Sequence, residues 1–195
     1  MFLLFKRTML VGLVTLFLGC DKLPSASVAN TNFLLVNTEK LFQVAVPDYM
    51  SKATNLSEEA SLQYQNLLKE LYLVVLHEPA DEFQEAFQNI GMYEDSISLL
   101  DNYTNVQYES ITDEMEIASD VVRKSAKING LPARIIAFDA DLEGVDVPIT
   151  YYYTIYQGSK NVYLMLSWTL KSRRTTYLPI MEKMSKSFRL MTDIQ

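Results

Sequence analysis

Two side chains concentrate the reactive chemistry of this sequence: its one cysteine, Cys20, and its one histidine, His77. His77 is followed by Glu78, and an imidazole beside a carboxylate can do acid–base work. No serine or cysteine adjoins the pair along the chain to serve as a nucleophile. The pair also closes an apolar run, Leu71–Leu76, just before Pro79. This context predicts a rim histidine at a strand end rather than a catalytic base. A zinc centre needs about four ligands, more than the Cys and His content of the chain can supply. A single cysteine also rules out a disulfide within the chain.

A second constellation is acidic. Asp139-Ala140-Asp141-Leu142-Glu143-Gly144 places carboxylates at positions 1, 3 and 5 and glycine at 6, like the opening of a calcium loop. The bidentate acid required at position 12 is missing, because Thr150 stands there. In a strand, Asp139, Asp141 and Glu143 point to one side. They are therefore expected on the solvent face of an amphipathic strand, with no metal. A third group is aromatic: Tyr151, Tyr152, Tyr153, Tyr156, Tyr163 and Trp168, together with Phe83 and Phe87. Such residues can hold a sugar or a small hydrophobic ligand between a sheet and its helices. They are also common strand and core residues, and consecutive tyrosines must face opposite ways.

The elements that would position these groups follow from periodicity. Strands are predicted at Phe33–Val36, Leu41–Val46, Ser61–Asn66, Leu71–His77, Ile117–Ile128, Ala133–Leu142, Ile149–Tyr156 and Val162–Leu170. Asn129-Gly130 is a hairpin signal, since both residues tolerate positive φ. Helices are predicted at Ala80–Ile90, with Phe83, Phe87 and Ile90 on one face, and at Glu94–Tyr103, with Ile97, Leu100 and Tyr103 inward. Residues 108–115 read as a polar connector or an irregular strand. A last helix begins near Thr176 with Pro179 in its first turn. Its inward stripe is Tyr177, Ile180, Met181, Met184 and Phe188. Lys171, Arg173 and Arg174 read as its solvated entrance.

The N-terminus carries location rather than catalysis. Lys6 and Arg7 precede an 11-residue apolar run, Thr8–Leu18, and then Gly19-Cys20. The run is short for a span, which takes roughly 20 apolar residues, and it suits the core of a cleaved signal. Phe17-Leu18-Gly19-Cys20 resembles a bacterial lipobox, whose cysteine receives a diacylglycerol; Phe17 and Leu18 depart from the usual leucine and small residue. Residues 1–19 are thus expected to be a lipoprotein signal peptide, 20–32 a lipidated tether and 33–191 one folded domain. Without residues 1–19 the chain has 15 basic and 24 acidic side chains, a net charge of −9. That balance repels phosphate backbones, so no nucleic-acid partner is expected.

Leu41-Phe42-Gln43-Val44-Ala45-Val46-Pro47, the meander over 130–170 with its Gly158-Ser159 turn, and the closing Met184-Ser185-Lys186-Ser187-Phe188-Arg189 together resemble the PsbP/DcrB-like α/β/α sandwich domains. The resemblance spans Phe33 to Leu190. It implies an α+β fold: an antiparallel sheet, of about six or seven of the strands read above, with helices on both faces. It also implies a non-enzymatic accessory or binding role, and many bacterial members are lipoproteins. The metal-binding segments of the plant members have no counterpart here, and no cofactor is implied. The expected partners are a lipid bilayer, through acylated Cys20, and an envelope protein complex. The expected location is the extracytoplasmic side of a bacterial cell membrane, periplasmic if the cell is Gram-negative.

Overall fold

A computed structural model describes residues 28–38, 41–113 and 115–191. The architecture is α+β, with a large antiparallel sheet and helices on both of its faces. Eleven strands occur among the described residues, more than the sequence pattern suggested. Eight form the main sheet. They are β3 (Ser51–Lys52), β4 (Leu62–Asn66), β5 (Leu71–Pro79), β6 (Met115–Ile117), β7 (Val122–Ile128), β8 (Leu131–Leu142), β9 (Ile149–Gln157) and β10 (Asn161–Leu170). Their order is β3-β4-β5-β10-β9-β8, with β6 and β7 both pairing the free edge of β8. The remaining three, β1 (Phe33–Thr38), β2 (Phe42–Pro47) and β11 (Arg189–Leu190), form a small sheet of order β1-β2-β11.

Strand alternation divides the core into two layers. Leu71, Leu73, Val75, Tyr152, Tyr156 and Met165 face the helix α3 (Arg174–Ser187) and the small sheet, where Phe42, Val44, Val46, Ile180, Met181, Met184 and Phe188 meet them. Leu76, Phe138, Tyr151, Tyr153, Ile155 and Leu164 face the other way, toward α1 (Ala80–Asn89) and α2 (Leu99–Thr112). The near-continuous apolar character of β5, β9 and β10 follows from cover on both faces. The β7–β8 hairpin turns at Asn129 (φ 49°) and Gly130 (φ 89°), as its sequence requires.

Several boundaries differ from the periodicity. The second helix starts at Leu99, not at Glu94, and continues to Thr112 through the supposed connector. Two local contacts set its start. The buried Asn102 amide binds the Glu94 N–H and carbonyl at 2.8 and 2.9 Å, holding that segment in a turn. The Ser98 hydroxyl then caps the helix by accepting from the Asp101 N–H at 3.1 Å. Its last turns persist because Val106, Tyr108 and Ile111 pack on the second core layer. Ile90 is 48 % exposed and does not share the inward face of Phe83. The strand expected over 117–128 is interrupted, since Ser119 Oγ accepts from the Asp139 N–H at 2.8 Å and separates β6 from β7. The last helix begins at Arg174, so Pro179 lies in its second turn. It is tolerated there on an exposed face, where the unmatched Thr175 carbonyl can meet water.

Candidate functional site

The strand register decides what surrounds His77. It pairs with Tyr163 across β5 and β10, and its ring stacks on that tyrosine with centroids 6.1 Å apart. Leu62 pairs with Val75, which brings Ser61 alongside, and Ser61 Oγ lies 2.6 Å from His77 Nδ1. Sequence reasoning missed this serine, because 16 residues separate the two and only the β4–β5 register joins them. Glu78 does not join the pair. As the next strand residue it points to the opposite face, where the buried Tyr103 phenol donates to its carboxylate. Burial raises the Glu78 carboxyl pKa above its ordinary value, and nearby Glu59 and Glu82 push it further in that direction. Nucleophilic catalysis wants a base oriented by a third group and donors aimed at an oxyanion. His77 is solvent-exposed, and neither of the two surface cavities described below reaches it.

The acidic segment separates in the fold. Asp139 is only 4 % exposed. It accepts from Thr150 Oγ1 at 2.6 Å and from Arg174 Nη1 at 2.6 Å, with Lys171 Nζ at 3.6 Å. Its backbone N–H donates to Ser119 Oγ, and its carbonyl accepts from the Ala118 N–H at 2.8 Å. Asp139 is thus a structural clamp between the sheet, the β6–β7 link and the start of α3. Asp141 and Glu143 sit apart on the surface, where with Glu116 and Leu142 they line a cavity of about 320 Å³. Thr150, at the position a calcium loop gives to its bidentate acid, donates to Asp139 instead. Among the described residues no group of three or more His, Cys, Asp and Glu side chains could hold a metal ion. The basic trio is not a solvated entrance either: Arg174 and Lys171 serve Asp139, and Arg173 Nη1 donates to the Leu68 carbonyl at 2.8 Å.

The aromatic residues fill both core layers. On the α1–α2 side Phe83 meets Phe87 at 4.7 Å and Tyr103 at 4.9 Å between centroids, and Phe138 stacks on Tyr153 at 5.6 Å. On the α3 side Tyr156 stacks on Phe188 at 4.1 Å. Burial raises the phenol pKa of Tyr151, Tyr153 and Tyr156, and pushes that of Tyr152 up to about 12. A second cavity, of about 210 Å³, lies between α2 and the β7–β8 hairpin and is lined by polar groups including Asp101, Arg123, Lys124 and Arg134. Neither cavity opens among the aromatics proposed for ligand binding. Cys20 lies outside the described residues. Among those residues no helix is long and apolar enough to cross a membrane.

No protein-family profile matches the chain, and no curated protein matches it. Solved structures do. Cyanobacterial PsbP (CyanoP) from Synechocystis sp. PCC 6803 superposes with a TM-score of 0.54 at 10 % identity, over 88 % of this chain and 98 % of that one. LpqN of Mycobacterium tuberculosis, described as involved in cell envelope biogenesis, gives 0.47 at 10 % identity over 85 % and 97 % of the two chains. PA94 of Pseudomonas aeruginosa gives 0.45 at 13 % identity over 80 % and 94 %. At these identities the likeness concerns architecture alone, and the superposition on CyanoP carries it. The chain has the PsbP-like fold.

Proposed function

We propose that this protein is a bacterial lipoprotein, anchored by acylated Cys20 on the extracytoplasmic side of the membrane, whose folded domain is a non-enzymatic accessory or binding module. The observation that carries the reading is the sole cysteine placed at the end of a short apolar segment with a basic flank. A thiol used once, at that position, suits acylation better than it suits any role inside a core. The character of the domain supports the second half. Its buried Asp139 is neutralised by Arg174 and Lys171, its serine–histidine pair is exposed, and its aromatics are spent on packing. The partner of such a module is an envelope protein complex, recognised by surface rather than by a reaction. Fractionation of cells expressing the full chain tests the anchor. The Cys20→Ala variant should move from the membrane to the soluble fraction and lose the mass of the acyl groups. Retention of that variant in the membrane would reject lipidation. Crosslinking followed by recovery of the membrane-bound protein tests the accessory role, which predicts a reproducible protein partner.

A further inference from the structure

The β4–β5 turn carries Leu67, 63 % exposed, beside Leu68, 85 % exposed. Nothing in the described structure covers them, yet the turn is firmly held. Asn66 Oδ1 accepts from the Lys69 N–H at 2.8 Å, and Asn66 Nδ2 donates to the Tyr49 carbonyl at 2.6 Å. Arg173 holds the Leu68 carbonyl, and Glu70 closes the turn at φ 49°. The two leucines are therefore presented outward on a fixed platform, at a cost in hydration that a floppy loop could evade.

The same end of the molecule receives the N-terminal chain. The Asp48 N–H donates to the Asn32 carbonyl at 3.0 Å, and the next residue, Tyr49, is the one gripped by Asn66. Lys69 Nζ lies 4.9 Å above the Tyr49 ring. Leu34 and Leu35, 54 % and 62 % exposed, lie on the strand that leaves this junction. Val28 comes eight residues after Cys20. Fully extended, that length spans at most about 28 Å, so an anchored Cys20 keeps the bilayer within one domain diameter of this end. Around the turn stand Lys69 and Arg173, which can meet lipid phosphates, and the acids Asp48 and Glu70, the latter accepting from the Tyr72 hydroxyl at 2.7 Å. Tyr72 in turn stacks on Trp168, the only tryptophan, at 5.1 Å, and both are half-buried.

We infer that the Leu67–Leu68 turn is a second membrane contact, seated in the headgroup region of a phospholipid bilayer. It rests on the lipid anchor proposed above. Two leucines bind a bilayer weakly on their own, but a short tether raises their effective concentration at the surface, so weak contacts suffice. The contact sets the main sheet end-on to the membrane and turns the β9–β10 loop outward.

Nitroxide labelling of the full-length acylated protein, in vesicles of phosphatidylethanolamine and phosphatidylglycerol, tests this. Labels go on Leu68→Cys and, separately, on Ser159→Cys, which lies in the β9–β10 loop at the far end of the sheet. The label at 68 should collide with a water-soluble nickel chelate roughly fivefold less than the label at 159, with oxygen collision rising in parallel. Mass spectrometry counts the labels. One label per chain with equal nickel accessibility at 68 and 159 overturns the contact and leaves the anchor standing. Two labels per chain mean a free Cys20 thiol, which overturns the anchor and this contact with it.

Discussion

The two faces of the main sheet are held to their helices by different means. On the α3 face the main polar ties run to buried side chains of the sheet, Asp139, Thr154 and Tyr156. Asp139 meets Arg174 and Lys171 at the start of the helix. Near its end the Tyr156 hydroxyl donates to the Ser185 carbonyl at 2.8 Å, and Thr154 Oγ1 lies 2.7 Å from Ser185 Oγ. Asn129 adds a cap, donating to the Lys186 and Phe188 carbonyls at 2.9 and 2.8 Å. On the α1–α2 face the charged tie lies at the rim, where the Arg134 fork binds Asp101 at 2.7 and 3.0 Å. In its interior the Tyr103 phenol donates to the Glu78 carboxylate, while the Tyr151 and Tyr153 hydroxyls find no partner. The α3 face is not free of such groups, since Ser167 and Thr169 also lack partners. The contrast concerns attachment: α3 is locked in register by directional bonds, whereas α1 and α2 are seated mostly by non-directional apolar contact.

The largest test breaks the lock. Arg174→Met keeps the methylene packing but leaves buried Asp139 with only Lys171 as counter-ion. It should cost about 3 kcal/mol, read as a lower urea midpoint. A midpoint unchanged from the parent would show that the clamp contributes nothing net. Next comes Tyr156→Phe, which leaves the Ser185 carbonyl with only the longer bond from the Phe188 N–H at 3.2 Å and should cost about 1 kcal/mol in the same assay.

A smaller effect, of opposite sign, is expected on the other face. Burial raises the Glu78 pKa above its ordinary 4.5, so the folded protein holds that proton more tightly than the unfolded chain does. The associated stability is present below about pH 4.5 and is lost as pH rises through the raised folded value. Glu78→Gln keeps an acceptor for Tyr103 and removes that loss. The variant should be more stable than the parent at pH 7 by roughly 0.5 kcal/mol and should match it at pH 3.5. Thermal melts across that range read the sign directly. The smallest change is Tyr153→Phe, which deletes a hydroxyl without a partner. Its stability should fall within about 0.5 kcal/mol of the parent or slightly above it. A loss as large as that of Tyr156→Phe would erase the distinction between the two faces.

Much of this was legible residue by residue. Tyr151, Tyr152 and Tyr153 must alternate in any strand, and they do, with Tyr152 toward α3 and its neighbours toward α2. The stripe Tyr177, Ile180, Met181, Met184, Phe188 marks a helix lying on a sheet, and all five are buried. Asn129-Gly130 announces a tight turn, but nothing local says that Asn129 also caps a helix 57 residues further on. The misplaced start of α2 has the same origin. The spacing of Ile97, Leu100 and Tyr103 extends a helical pattern back to Glu94, yet the backbone of Glu94–Ser98 is claimed by the side chain of Asn102, a contact that exists only once the segment has turned back.

Local periodicity states which face of an element is apolar, because side-chain direction repeats every 2 residues in a strand and every 3.6 in a helix. On that ground alone the chain has strands covered on both sides and a closing amphipathic helix. Which faces meet is another matter, since it depends on contacts between residues far apart in sequence. Tertiary structure alone placed β11 beside β2 in a separate sheet, set Ser61 against His77, and turned Asp139 from an apparent surface acid into the buried partner of Arg174. A carboxylate has the same sequence signature whether water or a guanidinium surrounds it, and only the packing of α3 on the sheet decides between them.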